Sequence, residues 1–163
     1  MKTSLAYKKL VNLIKEKYNA KILGAGDHGI ALSINPTTVL KITTDRYELE
    51  HGEKLVEHKL PGIIPIKKVV IKAPSLGYIV MAKANPLSEE EHNAITEATD
   101  VAENYIVNGK TDALRNLDDN SKLQSFMREL RYSFQKADID YDELDWSSDN
   151  IMNYKNNFVL VDL

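Results

Sequence analysis

Near the end of the chain the sequence reads Leu144-Asp145-Trp146-Ser147-Ser148-Asp149-Asn150-Ile151-Met152 and then Val159-Leu160-Val161-Asp162. An aspartate followed at i+5 by an asparagine, and then by an apolar strand ending in a second aspartate, supplies the oxygen ligands that metal-dependent phosphoryl transfer needs. Asp145 could receive or orient the proton of an acceptor hydroxyl. Asn150 and Asp162 could hold magnesium, a hard cation that takes few protein oxygens and completes its shell with water and phosphates. Without that chemistry, Asp145 and Asn150 read as a turn pair and Asp162 as a strand-end cap.

A second set of residues lies in the first third of the chain. Gly24-Ala25-Gly26-Asp27-His28-Gly29 places glycines where backbone N–H groups could approach phosphates with no Cβ in the way. Standing alone, the string is equally a flexible hairpin turn. Its flanks are β-type on both sides, whereas a dinucleotide site needs strand, glycines and then helix, so strand–glycines–strand favours a loop laid over the phosphates of ATP. Lys41, within Thr38-Val39-Leu40-Lys41-Ile42, is either a guard on an exposed sheet edge or a cation for the α and β phosphates, held by a glutamate from the next helix. Glu48 is the first choice for that partner because Gly52 and Leu55 fall on its own helical face. Glu50 and Glu53 compete with it.

These residues need elements to position them. An amphipathic helix is predicted up to Tyr18, capped by Ser4, with Tyr7, Leu10, Val11, Ile14 and Tyr18 on one face. The hydrophobic period then shortens to about two. Strands are predicted over Ala20 to Leu23, Ile30 to Ile34 and Thr38 to Thr43. A helix follows from Asp45 to about Leu60, stopped by Pro61-Gly62. Strands over Ile66 to Ile71 and Gly77 to Met81 complete a five-stranded, largely antiparallel sheet with one inserted helix. From Asn85-Pro86 the pattern turns helical. Ser88 and Glu91 form a capping-box signature before a helix reaching Val107, where Asn108-Gly109 ends it. Leu123, Phe126, Met127, Leu130 and Phe134 mark a core helix. Two short strands, Ile151-Met152 and Phe158 to Val161, surround an Asn156-Asn157 turn.

Over Lys21 to Asp162 the chain resembles the protein-kinase-like superfamily. The resemblance implies an α+β, bilobal fold in a single domain, with a β-rich N-lobe over 1–84 and a reduced helical C-lobe over 85–163. It implies ATP and Mg2+ as cofactors. Gly24, Ala25, Gly26 and Gly29 match the glycine-rich loop, Lys41 the β3 lysine and Glu48 the helix-C glutamate. Met81 and Ala82 fall where the hinge would contact adenine. Asp145 and Asn150 match the catalytic loop, and Asp162 the metal-binding aspartate. Where the family usually has His-Arg-Asp this chain has Glu143-Leu144-Asp145, so no arginine is present there to clamp a phosphorylated activation loop. Only Leu163 follows Asp162, and a chain this short resembles stripped-down kinases of phage or mobile-element origin.

The expected activity is Mg-ATP-dependent phosphoryl transfer to protein hydroxyls, with Asp145, Lys41 and Asn150 catalytic. The alternatives are a nucleotide-binding pseudokinase or inhibitor acting through a protein partner, and a small-molecule phosphotransferase. A homodimer is expected to cover apolar surface that a longer kinase would bury. Composition narrows the remaining classes. With 163 residues, 43% of them hydrophobic, there is material for one compact domain or two small lobes. A net charge of −3, with lysines dispersed among carboxylates, predicts no nucleic-acid surface. No apolar run reaches membrane-spanning length. The absence of cysteine excludes disulfides and thiol nucleophiles and points to a cytoplasmic setting. The histidines His28, His51, His58 and His92 have no metal-ligand spacing.

Overall fold

The computed structural model describes residues 4–56, 58–117, 121–141 and 146–162. The chain is α+β and divides into two compact units, Met1–Lys59 with Pro65–Lys83, and Leu60–Ile64 with Ala84–Leu163. The short stretch 60–64, inside the lobe expected over 1–84, is part of the second unit.

The first unit begins with α1 (Leu5–Tyr18), whose N-cap Ser4 accepts a hydrogen bond from the Tyr7 N–H. Asn19 ends it in the left-handed conformation, at φ 47°. Five strands follow: β1 (Lys21–Ala25), β2 (Gly29–Asn35), β3 (Thr38–Thr43), β4 (Ile66–Ala73) and β5 (Leu76–Ala82), with α2 (Arg46–Val56) between β3 and β4. All pairings are antiparallel and the spatial order is β1-β2-β3-β5-β4. This five-stranded antiparallel sheet with one inserted helix is the arrangement expected for the N-lobe.

Two-residue alternation sorts the sheet into two faces. Ile30, Leu32, Leu40, Ile42 and Leu76 form a buried cluster with Ile14 of α1, and Tyr78 and Val80 pack against it. Each such fully buried aliphatic side chain contributes about 1.5–3 kcal/mol through removal from water. The other face carries the cross-strand row Ala31, Lys41, Ile79 and Val69 and receives α2. Gly52 makes that close approach possible: a Cβ there would lie 3.0 Å from a methyl of Val69 and 3.3 Å from one of Ile79. Helix α2 is capped by Asp45, whose Oδ1 accepts from the Tyr47 and Glu48 N–H groups. The described helix runs to Val56, and residues 58–60, inside the predicted helix, are not helical.

In that second unit the Ser88–Glu91 capping box opens α3 (Glu89–Glu97). The single helix predicted to Val107 is interrupted. Ala98 separates α3 from α4 (Thr99–Ala102), and a π-helical turn covers Glu103–Val107. Two hydroxyls accompany the break: Thr96 Oγ1 donates to the His92 carbonyl and Thr99 Oγ1 to the Thr96 carbonyl, as hydroxyl side chains do when they compete with helical bonds. Arg131 donates to the carbonyls of Tyr105 and Ile106 at the end of this run. A 3-10 helix over Thr111–Asn116 was not expected.

The core helix α5 (Ser121–Ala137) buries Leu123, Phe126, Met127, Leu130 and Phe134, the residues its periodicity selects. It supports a hairpin of β6 (Ile151–Tyr154) and β7 (Asn157–Leu160), in which Phe126 meets Phe158 edge-on with ring centroids 5.9 Å apart. The turn falls at Lys155 and Asn156, both at positive φ, one residue earlier than expected. Residues 60–64 join this unit through a parallel bridge between Ile63 and Leu160. Ser133 Oγ adds a hydrogen bond to the Pro61 carbonyl at 2.6 Å.

Candidate functional site

Lys41 occupies the middle strand of the five, so the edge-guard reading does not apply to it. Its Nζ lies 2.6 Å from Glu48 Oε1, with the side chains 17% and 4% exposed respectively. The competing glutamates are placed otherwise: Glu50 bonds Arg46 on the same helix at 2.6 Å, and Glu53 is exposed. A charge pair this far from water has a large desolvation cost, which close geometry and further hydrogen bonding must offset.

The three glycines before Lys41 differ in what surrounds them. Gly29 starts β2, where a Cβ would sit 2.5 Å from the Ile42 carbonyl oxygen and 3.3 Å from Thr43 Cα. Packing of β2 on β3 therefore requires glycine at 29. A Cβ on Gly24 or Gly26 would meet nothing within 4 Å. Gly24 and Ala25 lie on the exposed strand β1, and the Gly26 N–H donates to the Gly29 carbonyl, which narrows the loop mouth. Met81 and Ala82 end β5 with buried side chains, and the Ala82 N–H is given to the Pro65 carbonyl.

In the second unit, Ser148–Asn150 form one 3-10 turn. Ser147 Oγ accepts from the Asp149 N–H and the Ser147 carbonyl from the Asn150 N–H. The β6–β7 register sets Ile151 opposite Leu160, and one step further the Val161 N–H donates to the Asn150 carbonyl at 2.9 Å. Asn150 and Asp162 thus come together at the open end of one hairpin, Asn150 half-buried and Asp162 exposed. Asp145 lies outside the described residues. Trp146, immediately after it, is anchored by its Nε1–H to the Ile95 carbonyl at 3.4 Å and by its ring against Phe126.

An amide oxygen and an exposed carboxylate at one hairpin end suit magnesium, which needs only one or two carboxylates besides phosphate oxygens. Among the described residues no group of three or more His, Cys, Asp or Glu side chains is placed to hold a metal ion.

Two clusters had no sequence signal. Ser148 Oγ lies 3.3 Å from His92 Nε2 and 3.2 Å from Thr96 Oγ1. Lys122 Nζ bonds Glu91 Oε1 at 2.6 Å and Asn153 Oδ1 at 2.9 Å, and Asn153 Nδ2 donates to Glu91 Oε2 at 2.6 Å. The bonds from Asn153 and Lys122 hold the Glu91 carboxyl down to about 2, against burial, which acts the other way. Only the capping-box role of Glu91 was legible from spacing.

No protein-family model and no curated protein matches the chain. Solved structures of aminoglycoside phosphotransferases resemble it. The streptomycin–ATP ternary complex of APH(2″)-IIa is 18% identical with a TM-score of 0.39, over 98% of this chain and 70% of that one. Aminoglycoside phosphotransferase APH(4)-Ia is 15% identical with a TM-score of 0.43, over 94% and 70%. The GDP complex of aminoglycoside 2′-phosphotransferase-IIIa is 11% identical with a TM-score of 0.37, over 76% and 45%.

Proposed function

We propose that the chain is a nucleotide-dependent phosphotransferase of the protein-kinase-like type, acting on the hydroxyl of a small molecule. The observation that carries this reading is the Lys41–Glu48 pair on the middle strand of the sheet. A buried ion pair is a poor device for stability, since apolar residues of similar volume usually serve as well or better. A lysine so held, after a glycine loop between two strands, is instead suited to nucleotide phosphates. The open space at Gly24 and Gly26 supports the same reading, because neither position needs glycine for packing.

In this proposal Lys41 binds the α and β phosphates and Glu48 keeps its ammonium oriented. Gly24, Ala25, Gly26 and Gly29 form the phosphate loop, and Met81 and Ala82 contact the base. Asn150 and Asp162 would hold magnesium, which when bound would neutralise charge on the phosphates. Asp145 accepts the acceptor's hydroxyl proton as the acceptor oxygen bonds to the γ-phosphorus and the bond from that phosphorus to the β–γ bridging oxygen breaks. ADP is released.

The sequence alone favoured protein hydroxyls as acceptors. The small-molecule alternative now has the better support, because the similar solved structures are named as aminoglycoside phosphotransferases, among them complexes with streptomycin, hygromycin B and gentamicin. The test is incubation with γ-labelled ATP or GTP and magnesium, against an aminoglycoside panel and, separately, a protein mixture. Label on a small molecule is expected. Label on protein alone would return the acceptor to the protein class, and bound nucleotide without transfer would indicate a pseudokinase.

A further inference from the structure

Lys122 stands in the first turn of α5, where a cation meets the positive end of the helix dipole and is disfavoured. Its placement is explained by what it touches. The ammonium bonds Asn153 Oδ1 on β6 and lies 4.0 Å from the centroid of the Phe158 ring on β7. Asn153 and Phe158 are cross-strand partners, so one charge grips both strands of the hairpin at a single rung. Glu91 closes the network, accepting from Lys122 and Asn153 and, as part of the capping box, from the Ser88 N–H. The Asn153 backbone is fixed as well, exchanging hydrogen bonds with Asn85 at 2.8 and 2.9 Å. Along the same two strands, Asn150 precedes the rung and Val161 and Asp162 follow it, joined by the Val161–Asn150 bond.

We infer that Lys122, with Glu91 and Asn153, is a positioning residue that sets the spacing of Asn150 and Asp162 for the metal ion accompanying the nucleotide. The inference rests on the phosphotransferase reading. None of the three side chains is assigned to touch the metal; they hold the hairpin whose end presents its ligands. Partners behind metal ligands typically alter affinity by about ten- to a hundredfold when removed. Metal-free nucleotide, assigned to Lys41 in the proposed function, should not sense the change.

The test uses the full chain with Mn2+ as the probe, its free concentration read by electron paramagnetic resonance in the presence of ATP. Two variants are compared. Lys122→Met keeps the aliphatic stem over Phe158 and removes the donors; Glu91→Gln keeps a side chain able to reach the Ser88 N–H. In both, affinity for Mn2+ with ATP should fall by about ten- to a hundredfold, affinity for metal-free ATP should hold, and the Val161 amide should lose hydrogen-exchange protection while Leu32 and Ile79 keep theirs. If the parent protein binds no Mn2+ with ATP, the phosphotransferase reading fails and the inference with it. If the parent binds and both folded variants bind Mn2+ equally well, whatever their Val161 protection, the inference alone is overturned.

Discussion

The two units hold their candidate residues by different means. In the first, Lys41 and Glu48 are positioned by apolar packing: Gly52 lets α2 settle on Val69 and Ile79, and the ion pair forms beside that contact. In the second, the hairpin end that carries Asn150 and Asp162 is tied by polar bonds around Lys122, Glu91 and Asn153. Packing is insensitive to pH and fails through cavities or clashes. A polar network fails when one member loses its charge or its partner. Under the proposed function, the first device suits a fixed phosphate clamp, and the second an end proposed to orient metal ligands.

The largest expected effect separates chemistry from binding. Asp145→Asn should lower turnover by roughly 10²–10⁴, the usual contribution of a positioned acid or base, and leave ATP affinity unchanged in equilibrium titration. Loss of ATP affinity instead would place Asp145 in the binding apparatus.

Breaking the ion pair tests the first unit. Lys41→Met leaves the Glu48 carboxylate buried and should destabilise the fold by about 3–5 kcal/mol, read from urea unfolding. Adding Glu48→Leu should restore much of that stability without restoring nucleotide binding. A double variant that binds ATP normally would reduce the pair to a structural role.

The glycines sharpen the contrast within one loop. Gly29→Ala forces a Cβ against the Ile42 carbonyl and should cost about 1–3 kcal/mol. Gly24→Ala and Gly26→Ala should leave stability within about 0.5 kcal/mol yet weaken nucleotide binding in the same titration. Equal destabilisation by all three would mean that the loop is shaped by packing alone.

The smallest effect is confined to the second unit and to acid. The Glu91 carboxyl is lowered from 4.5 to about 2 in the folded chain. Between those values the unfolded chain binds the extra proton, so the stabilisation is complete above about 4.5 and is lost as pH falls toward about 2. Urea midpoints across that window should decline with falling pH, and less steeply in Glu91→Gln. Identical slopes would show that the network does not depend on the carboxylate.

Much of the fold could be read from the sequence because its signals are local. Strand periodicity located all five strands of the sheet, Ser88 and Glu91 are spaced as a capping box, and the α5 face follows helical spacing. Glu48 could be favoured over Glu50 and Glu53 from its face of α2, but distance to Lys41 needed the folded sheet. The middle position of β3 was likewise invisible, since strand order is set by long-range pairing. The Lys122 network joins residues from α3, α5 and β6, and no short-range pattern relates them. The break at Ala98 arises where threonine hydroxyls draw off helical carbonyls, which apolar periodicity does not register. Asp145, the residue most easily picked from the sequence, lies outside the described residues.

A phosphotransferase of this kind binds a nucleotide with its metal in the folded state. Unfolding by urea with and without Mg·ATP measures this directly, since a ligand that binds only the folded state stabilises it by about 2.7 kcal/mol at a hundredfold excess over its Kd. A magnesium-dependent shift is expected, diminished in Lys41→Met/Glu48→Leu. An unchanged unfolding curve for the parent chain at millimolar Mg·ATP would contradict it.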